Sequence, residues 1–259
     1  MAKVVLITGA SAGFGTAIAL KLAEKGFDLI LTARREDRLE DVAKACREKG
    51  AGQVLAKKLD VRDLKSVEAL FSDSDVKSML SRLEVLVNNA GLAKGVDRMD
   101  KAKIEDWEMM VETNVLGLMY MTRFALPYIK ETQGHIVNIG SVAGRWSYPG
   151  GGVYCSTKAA VRAFSEGLRM DLLGTRVRVT NIAPGMAETE FTITRLQSVD
   201  LAKKVYENFT PLTAEDIAEC VEWSISRPKH VNVQEMIIYP TDQAGVSHLY
   251  RETSGTAST

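Results

Sequence analysis

Apolar residues in this chain follow two patterns, continuous runs and helical stripes, and the two alternate. The runs Val4 to Ile7, Leu29 to Thr32, Val54 to Leu59, Val85 to Val87, Ile136 to Ile139, Val177 to Ile182 and Met236 to Tyr239 are short and rich in Val, Ile and Leu. They do not alternate polar with apolar positions, so each predicts a strand buried on both faces. Phe14 to Lys25, Asp37 to Glu48 and Thr213 to Ile225 instead carry apolar residues at helical spacing. Strand and helix in alternation imply right-handed crossovers and an open parallel sheet with helices on both faces. No linker, repeat or change of composition divides the chain. One doubly wound α/β domain of the Rossmann type, with about seven strands over residues 1–251, is therefore expected. The stretch Met186 to Phe209 breaks the rhythm. It follows a strand end, where ligands bind in such sheets, and predicts a substrate lid at 186–210, with a surface helix pair as the alternative. Residues 252–259 are small and polar and predict a disordered tail.

Composition narrows the partners. The 33 basic residues balance the 33 acidic ones. No global field then favours nucleic acid or an anionic membrane surface, and a small molecule must be selected locally. The first apolar run is too short for a signal peptide or a membrane span, which makes a cytoplasmic location the default. Cys46, Cys155 and Cys220 are few, odd in number and without metal-ligand spacing, as in a reducing compartment. Cys155 is expected to face away from Tyr154 as a small buried hydrophobe. His135, His230 and His248 are scattered, so they predict surface or loop residues and no metal centre.

The first run ends in Thr8-Gly9-Ala10-Ser11-Ala12-Gly13-Phe14-Gly15, followed at once by a helical stripe. A glycine-rich turn between a buried strand and a helix presents free N–H groups to phosphates, which makes Gly9, Ser11, Gly13, Phe14 and Gly15 candidate cofactor contacts. Strand 2 then runs Thr32-Ala33-Arg34-Arg35, without the carboxylate that would accept a bond from a ribose 2′-hydroxyl. Guanidinium groups there suit a 2′-phosphate, so NADP(H) is the expected cofactor, with Arg34 as the main ligand and Arg35 assisting.

Farther along, strand 5 ends in Gly140-Ser141, and Tyr154 and Lys158 open a helix. Four residues apart, they share a helix face. An ammonium beside a phenol favours the phenolate, and the Ser141 hydroxyl can hold a carbonyl or alcohol oxygen in line with it.

With these motifs in order, the chain resembles the short-chain dehydrogenase/reductase family over nearly its whole length. The resemblance implies that Asp60 and the following Val61 border the adenine, and that Asn88, Ala90 and Gly91 of Asn88-Asn89-Ala90-Gly91 shape the ribose pocket. It implies that Asn114 completes a catalytic tetrad with Ser141, Tyr154 and Lys158 through a water-linked proton path. Pro184, Gly185 and Thr189 would flank the nicotinamide. The runs Gly144 to Gly151, Ala183 to Phe191 and Ile237 to Ala244 resemble the branch of NADP-dependent 3-hydroxy acid (serine, allo-threonine) dehydrogenases. That resemblance implies a short hydroxy acid or the matching carbonyl compound as substrate, and a homotetramer. A hydroxy acid needs a cation for its carboxylate. Arg145, four residues past Ser141, is the expected anchor, with Tyr148 adding a hydroxyl. The competing readings are a carbonyl reductase for neutral ketones or 3-oxoacyl groups and a dinucleotide-binding sensor without catalysis.

Overall fold

The computed structural model describes residues 2–252. In chain order it forms β1 (Val4–Thr8), α1 (Gly13–Glu24), β2 (Asp28–Ala33), α2 (Glu36–Glu48), β3 (Val54–Lys58), α3 (Leu64–Ser72), α4 (Ser74–Leu80) and β4 (Leu83–Asn88). Then come α5 (Ile104–Val111), a π-helical segment (Glu112–Gly117), α6 (Leu118–Thr132), β5 (His135–Ile139), a 3-10 turn (Val142–Gly144) and α7 (Gly152–Asp171). The chain continues through β6 (Arg178–Pro184), α8 (Glu190–Leu196), α9 (Val199–Val205), α10 (Ala214–Ile225) and β7 (Glu235–Ile238). It ends on the small hairpin β8 (Gln243–Gly245) and β9 (His248–Leu249).

Seven strands form one sheet in the order β3-β2-β1-β4-β5-β6-β7, with every pair parallel. This is the doubly wound α/β fold expected of the sequence. Because successive side chains of a strand point to opposite faces, β1 divides itself between two cores. Val5 and Ile7 pack with α1, α2 and α10, and Val4 and Leu6 with α3, α4 and α6. Each expected run lies in a strand, with ends shifted by one or two residues.

The chain between β3 and β5 also holds α3 to α6, which the apolar spacing did not single out. Two features hide α5 and α6. The π turn at Glu112–Gly117 inserts an extra residue per turn and breaks the phase of a helical stripe. Pro127, a helix breaker by its local chemistry, sits inside α6. Residues 186–210 contribute α8 and α9, and their ends are tied side by side by Leu212 N–H to Met186 O (3.0 Å) and Glu188 N–H to Leu212 O (2.9 Å). Glu252, expected in a disordered tail, donates its N–H to Asn208 O at 2.8 Å. The rest of that tail, 253–259, lies outside the described residues.

His135 is a correction. Instead of lying on the surface or in a loop, it opens β5 and is fully buried. Its Nε2 lies 2.7 Å from Thr180 Oγ1, which itself donates to Val233 O. Nε2 must then carry the proton, and Nδ1 has no partner among the described residues. Burial, with the charge of Arg178, holds the imidazole well below its ordinary range, so it is neutral in the fold. Such a group takes up a proton on unfolding. Stability should therefore fall as pH drops below the unfolded pKa of ~6.5, by up to ~1.4 kcal/mol per pH unit, with no contribution above it. Denaturant titrations from pH 5 to 8 should show a shallower loss for His135→Gln than for the wild type; equal slopes would remove His135 as the source.

Candidate active site

Strand order reverses between β1 and β4, and the carboxyl ends of the strands open there into a cleft of about 630 Å³. Its nucleotide half begins at the β1–α1 turn. Gly9 has φ +66°, and a Cβ on Gly15 would lie 2.6 Å from Asn89 Nδ2 and 2.9 Å from Ala10 Cα. Only glycine lets the helix seat so closely on the strand. No side chain caps the N-terminus of α1, so its first N–H groups remain free toward a ligand. Ser11, Gly13 and Phe14 line this wall, whereas Gly15 packs behind it.

The opposite wall is tied to the first through Thr8. Its hydroxyl accepts the N–H groups of Asn89 and Ala90, both at 3.0 Å. Asn89 returns the contact, donating its amide to Thr8 O (2.9 Å) and Gly9 O (3.1 Å). Asn88, expected in the ribose pocket, is a correction. One residue earlier on the strand, it points to the other face and donates to Thr122 and Asn138, both at 2.9 Å. Ala90 and Gly91 do line the cleft, as do Asp60 and Val61. Arg62 forks onto Asp60 through Nε and Nη2 and holds its carboxyl below the usual range.

At the end of β2, Arg34 lines the cleft and makes no ion pair among the described residues. Arg35 beside it bonds Glu190 at 3.1 Å and Ser11 Oγ at 3.4 Å. Free helix N–H groups, a floor of small residues and an unpaired guanidinium beside the expected ribose position fit a dinucleotide with a 2′-phosphate.

The reacting half is set by α7. Tyr154 and Lys158 both face the cleft and both are buried. Lys158 Nζ donates to Ile139 O at 2.8 Å and stands 5.9 Å from the Tyr154 ring centre. Burial brings the lysine down to about 8. Burial also pushes the Tyr154 phenol up, reinforced by Tyr148, while the Ser141 hydroxyl and the Arg195 guanidinium pull the other way. The expected depression of the phenol by Lys158 is thus absent in the protein alone, because desolvation outweighs the neighbouring charges. Ser141 lines the cleft and accepts the N–H of Ala143 at 3.1 Å. Asn114 sits in the π turn. Its carboxamide is spent on the Leu92 backbone, at 2.8 Å both ways, and on Thr157 Oγ1 at 3.0 Å. It ties α7 to the end of β4, and its Oδ1 and Lys158 Nζ both face Gly91. Pro184, Gly185 and Thr189 close this end, and the Thr189 hydroxyl caps α8.

Arg145 is the third correction. The 3-10 turn carries it out of the cleft, and its guanidinium pairs with Glu235 at the start of β7. Tyr148 does line the cleft, and the cation beside it is Arg195 of α8, 5.3 Å from the Tyr148 ring centre and 6.0 Å from that of Tyr154. Arg195 forms no ion pair among the described residues; its Nε donates to Gly95 O at 3.3 Å. Sequence reading missed it because only tertiary packing brings α8 to Ser141. Asn89, Arg62 and Glu190 were missed too, although Asn89 and Glu190 stand inside runs that carried the family resemblance. Cys155 is buried as expected, but its thiol neighbours the Tyr148 hydroxyl.

Residues 3–199 match the short chain dehydrogenase family, and the chain belongs to it. It is 47% identical over 249 residues to the NADP-dependent 3-hydroxy acid dehydrogenase YdfG of Salmonella typhi, covering 94% of this chain and 98% of that protein. It is also 45% identical to sulfoacetaldehyde reductase 2 of Chromohalobacter salexigens, over 94% of this chain and 96% of that one. The closed form of a serine dehydrogenase complexed with NADP+ superposes with a TM-score of 0.89 at 42% identity, covering 96% of this chain and 100% of its own.

Replacing Gly15 with Ala forces the Gly9 carbonyl or the Asn89 amide to move. We expect a stability loss of ~1–3 kcal/mol and NADPH binding weakened by about tenfold or more, read by fluorescence titration. Unchanged binding would show that the cofactor does not depend on this seat.

Proposed function

We propose that this protein is an NADP(H)-dependent oxidoreductase that interconverts short 3-hydroxy acids, of the serine, allo-threonine or 3-hydroxypropionate type, with the corresponding 3-oxo acids or semialdehydes. Arg195 is the observation that carries the acid specificity. It is a partly buried guanidinium without an ion-pair partner among the described residues, beside both Tyr148 and Tyr154. The charged side chains lining the reacting half, Lys158 and Arg195, are both cations, whereas Glu190 lies toward the nucleotide half and is engaged by Arg35. A cation in that position favours a carboxylate held by a forked hydrogen-bond pair, with the hydroxyl-bearing carbon directed at Tyr154. Segment 186–210, which carries Phe191 and Arg195, is then the lid, and an anionic substrate helps to close it.

NADP(H), held along Gly13, Arg34, Gly91 and Gly185, would supply the hydride chemistry. Tyr154 supplies a proton to the nascent alkoxide in reduction and removes it in oxidation, while Ser141 holds the same oxygen. Its raised resting pKa keeps Tyr154 protonated, the form that reduction uses. Ser141 and Arg195 favour the phenolate that oxidation needs. Asn114 fixes α7 under this pair through Thr157. Tyr154→Phe should lower turnover by ~10²–10⁴-fold with NADPH binding kept; substantial residual activity would take the phenol out of the reaction.

The substrate assignment rests on a charge, so its test compares charged and neutral substrates. Arg195→Met should raise KM for 3-hydroxypropionate by about 10- to 100-fold, as expected for losing a charge-assisted hydrogen-bond pair. KM for a neutral secondary alcohol should change little, and Arg145→Met should not discriminate between the two. Equal effects of Arg195→Met on both substrates would favour reduction of neutral ketones or 3-oxoacyl groups. The Chromohalobacter relative raises a second reading, since the same guanidinium fork accepts a sulfonate. Faster turnover of 2-hydroxyethanesulfonate than of 3-hydroxypropionate would select it.

A further inference from the structure

Glu190 opens α8 and faces away from the reacting end, toward α2. Its carboxylate accepts from Arg38 Nη1 at 2.8 and 2.9 Å and from Arg35 Nη1 at 3.1 Å. Arg35 also reaches the glycine turn, its Nε 3.4 Å from Ser11 Oγ and its Nη2 3.5 Å from Ser11 O. Arg34 lines the same wall without an ion pair among the described residues. Three guanidinium groups against one carboxylate leave two positive charges, the complement of a phosphate dianion. Glu190 therefore does not compete for the last cation; it engages Arg35 and Arg38 and leaves Arg34 open.

The same short helix reaches the other half of the cleft. Thr189 caps it, the Phe191 ring centre lies 5.7 Å from that of Tyr154, and Arg195 follows one turn later. One carboxylate thus joins the arginines at the ribose end to the helix covering the reacting end. By itself an exposed ion pair of this kind holds weakly, because ordering long side chains offsets the attraction. A phosphate that has already ordered those arginines removes much of that cost.

We propose that Glu190 is a positioning residue through which the 2′-phosphate of NADP(H) holds α8 and α9 over the site. Phosphate at Arg34 and Arg35 fixes their side chains, the fixed guanidinium of Arg35 holds Glu190, and Glu190 sets the start of α8. NADH fills the same cleft without adding a phosphate contact to Arg34 and Arg35, so the covering helices are held less firmly. Cofactor discrimination then includes a contribution from how the lid is seated, beyond phosphate affinity. The inference rests on the cofactor assignment and not on the substrate class.

Hydrogen–deuterium exchange of the intact protein tests it, with the free protein compared with saturation by NADPH and by NADH. In the wild type, NADPH should slow exchange in 190–205 several-fold more than NADH does, with 9–20 protected by both. In Glu190→Gln the extra protection by NADPH in 190–205 should vanish while that of 9–20 stays, and Glu190→Asp should restore part of it. A purely structural role for Glu190 would loosen 190–205 equally with either cofactor. The proposal is overturned by a variant that keeps the NADPH–NADH difference, or by a wild type that never shows it. Failure of either cofactor to protect 9–20 would overturn the cofactor assignment itself, and the proposal with it.

Discussion

Both halves of the cleft depend on the hydrogen bonds between Thr8 and Asn89. A doubly wound sheet splits where its strand order reverses, because the chain leaves β1 toward one face and β4 toward the other. Left to themselves the two exits would diverge. The Thr8 hydroxyl accepts two N–H groups from the β4 exit, and Asn89 donates back to two carbonyls of the β1 exit. This lock fixes the width of the crevice. It also presents the α1 N-terminus on one side and Gly91, with Lys158 behind it, on the other. The helices confer stability, but the lock sets the spacing between the phosphate seat and the reacting groups.

The reacting end carries an electrostatic cost that the fold leaves unsettled. Burial opposes charge on both members of the pair, raising the Tyr154 phenol and bringing Lys158 down to about 8. In water at physiological pH the phenol is already neutral and the lysine charged; here burial holds the phenol more firmly neutral and moves the lysine toward its neutral form. Arg195 and Ser141 act against that shift from the cleft side, and Arg195 is borne by α8. The acid–base balance of the tyrosine is thereby coupled to where α8 lies.

How much of this was legible in the sequence divides along physical lines. Strands buried on both faces write themselves as continuous apolar runs, so the sheet and the glycine turn at its first strand could be read directly. Helices α5 and α6 could not, since the π turn dephases the stripe and Pro127 imitates an ending. Asn88 and Asn89 look equivalent in sequence, yet Asn88 ends β4 and reaches Thr122, whereas Asn89, in the turn just beyond it, reaches the glycine turn. Arg145 is near Ser141 in the chain and remote from the cleft, because a 3-10 turn intervenes and Glu235 captures its guanidinium. Arg195 is the reverse case, far along the chain and close in space. Proximity in sequence is a fair guide within one strand-to-helix turn and a poor one across a loop.

Met186 and Leu212, where the α8–α9 segment leaves and rejoins the body, are hydrogen-bonded neighbours. A segment whose ends meet in this way is a closed loop on the surface of the sheet, and its length and contents can change without rethreading any strand. The segment that brings Phe191 and Arg195 beside Tyr154 can therefore vary without disturbing the sheet. The strands, the glycine turn and the Tyr154–Lys158 pair all lie outside it. A change within this one short segment can then alter what lines the cleft while the glycine turn and the Tyr154–Lys158 pair stay in place.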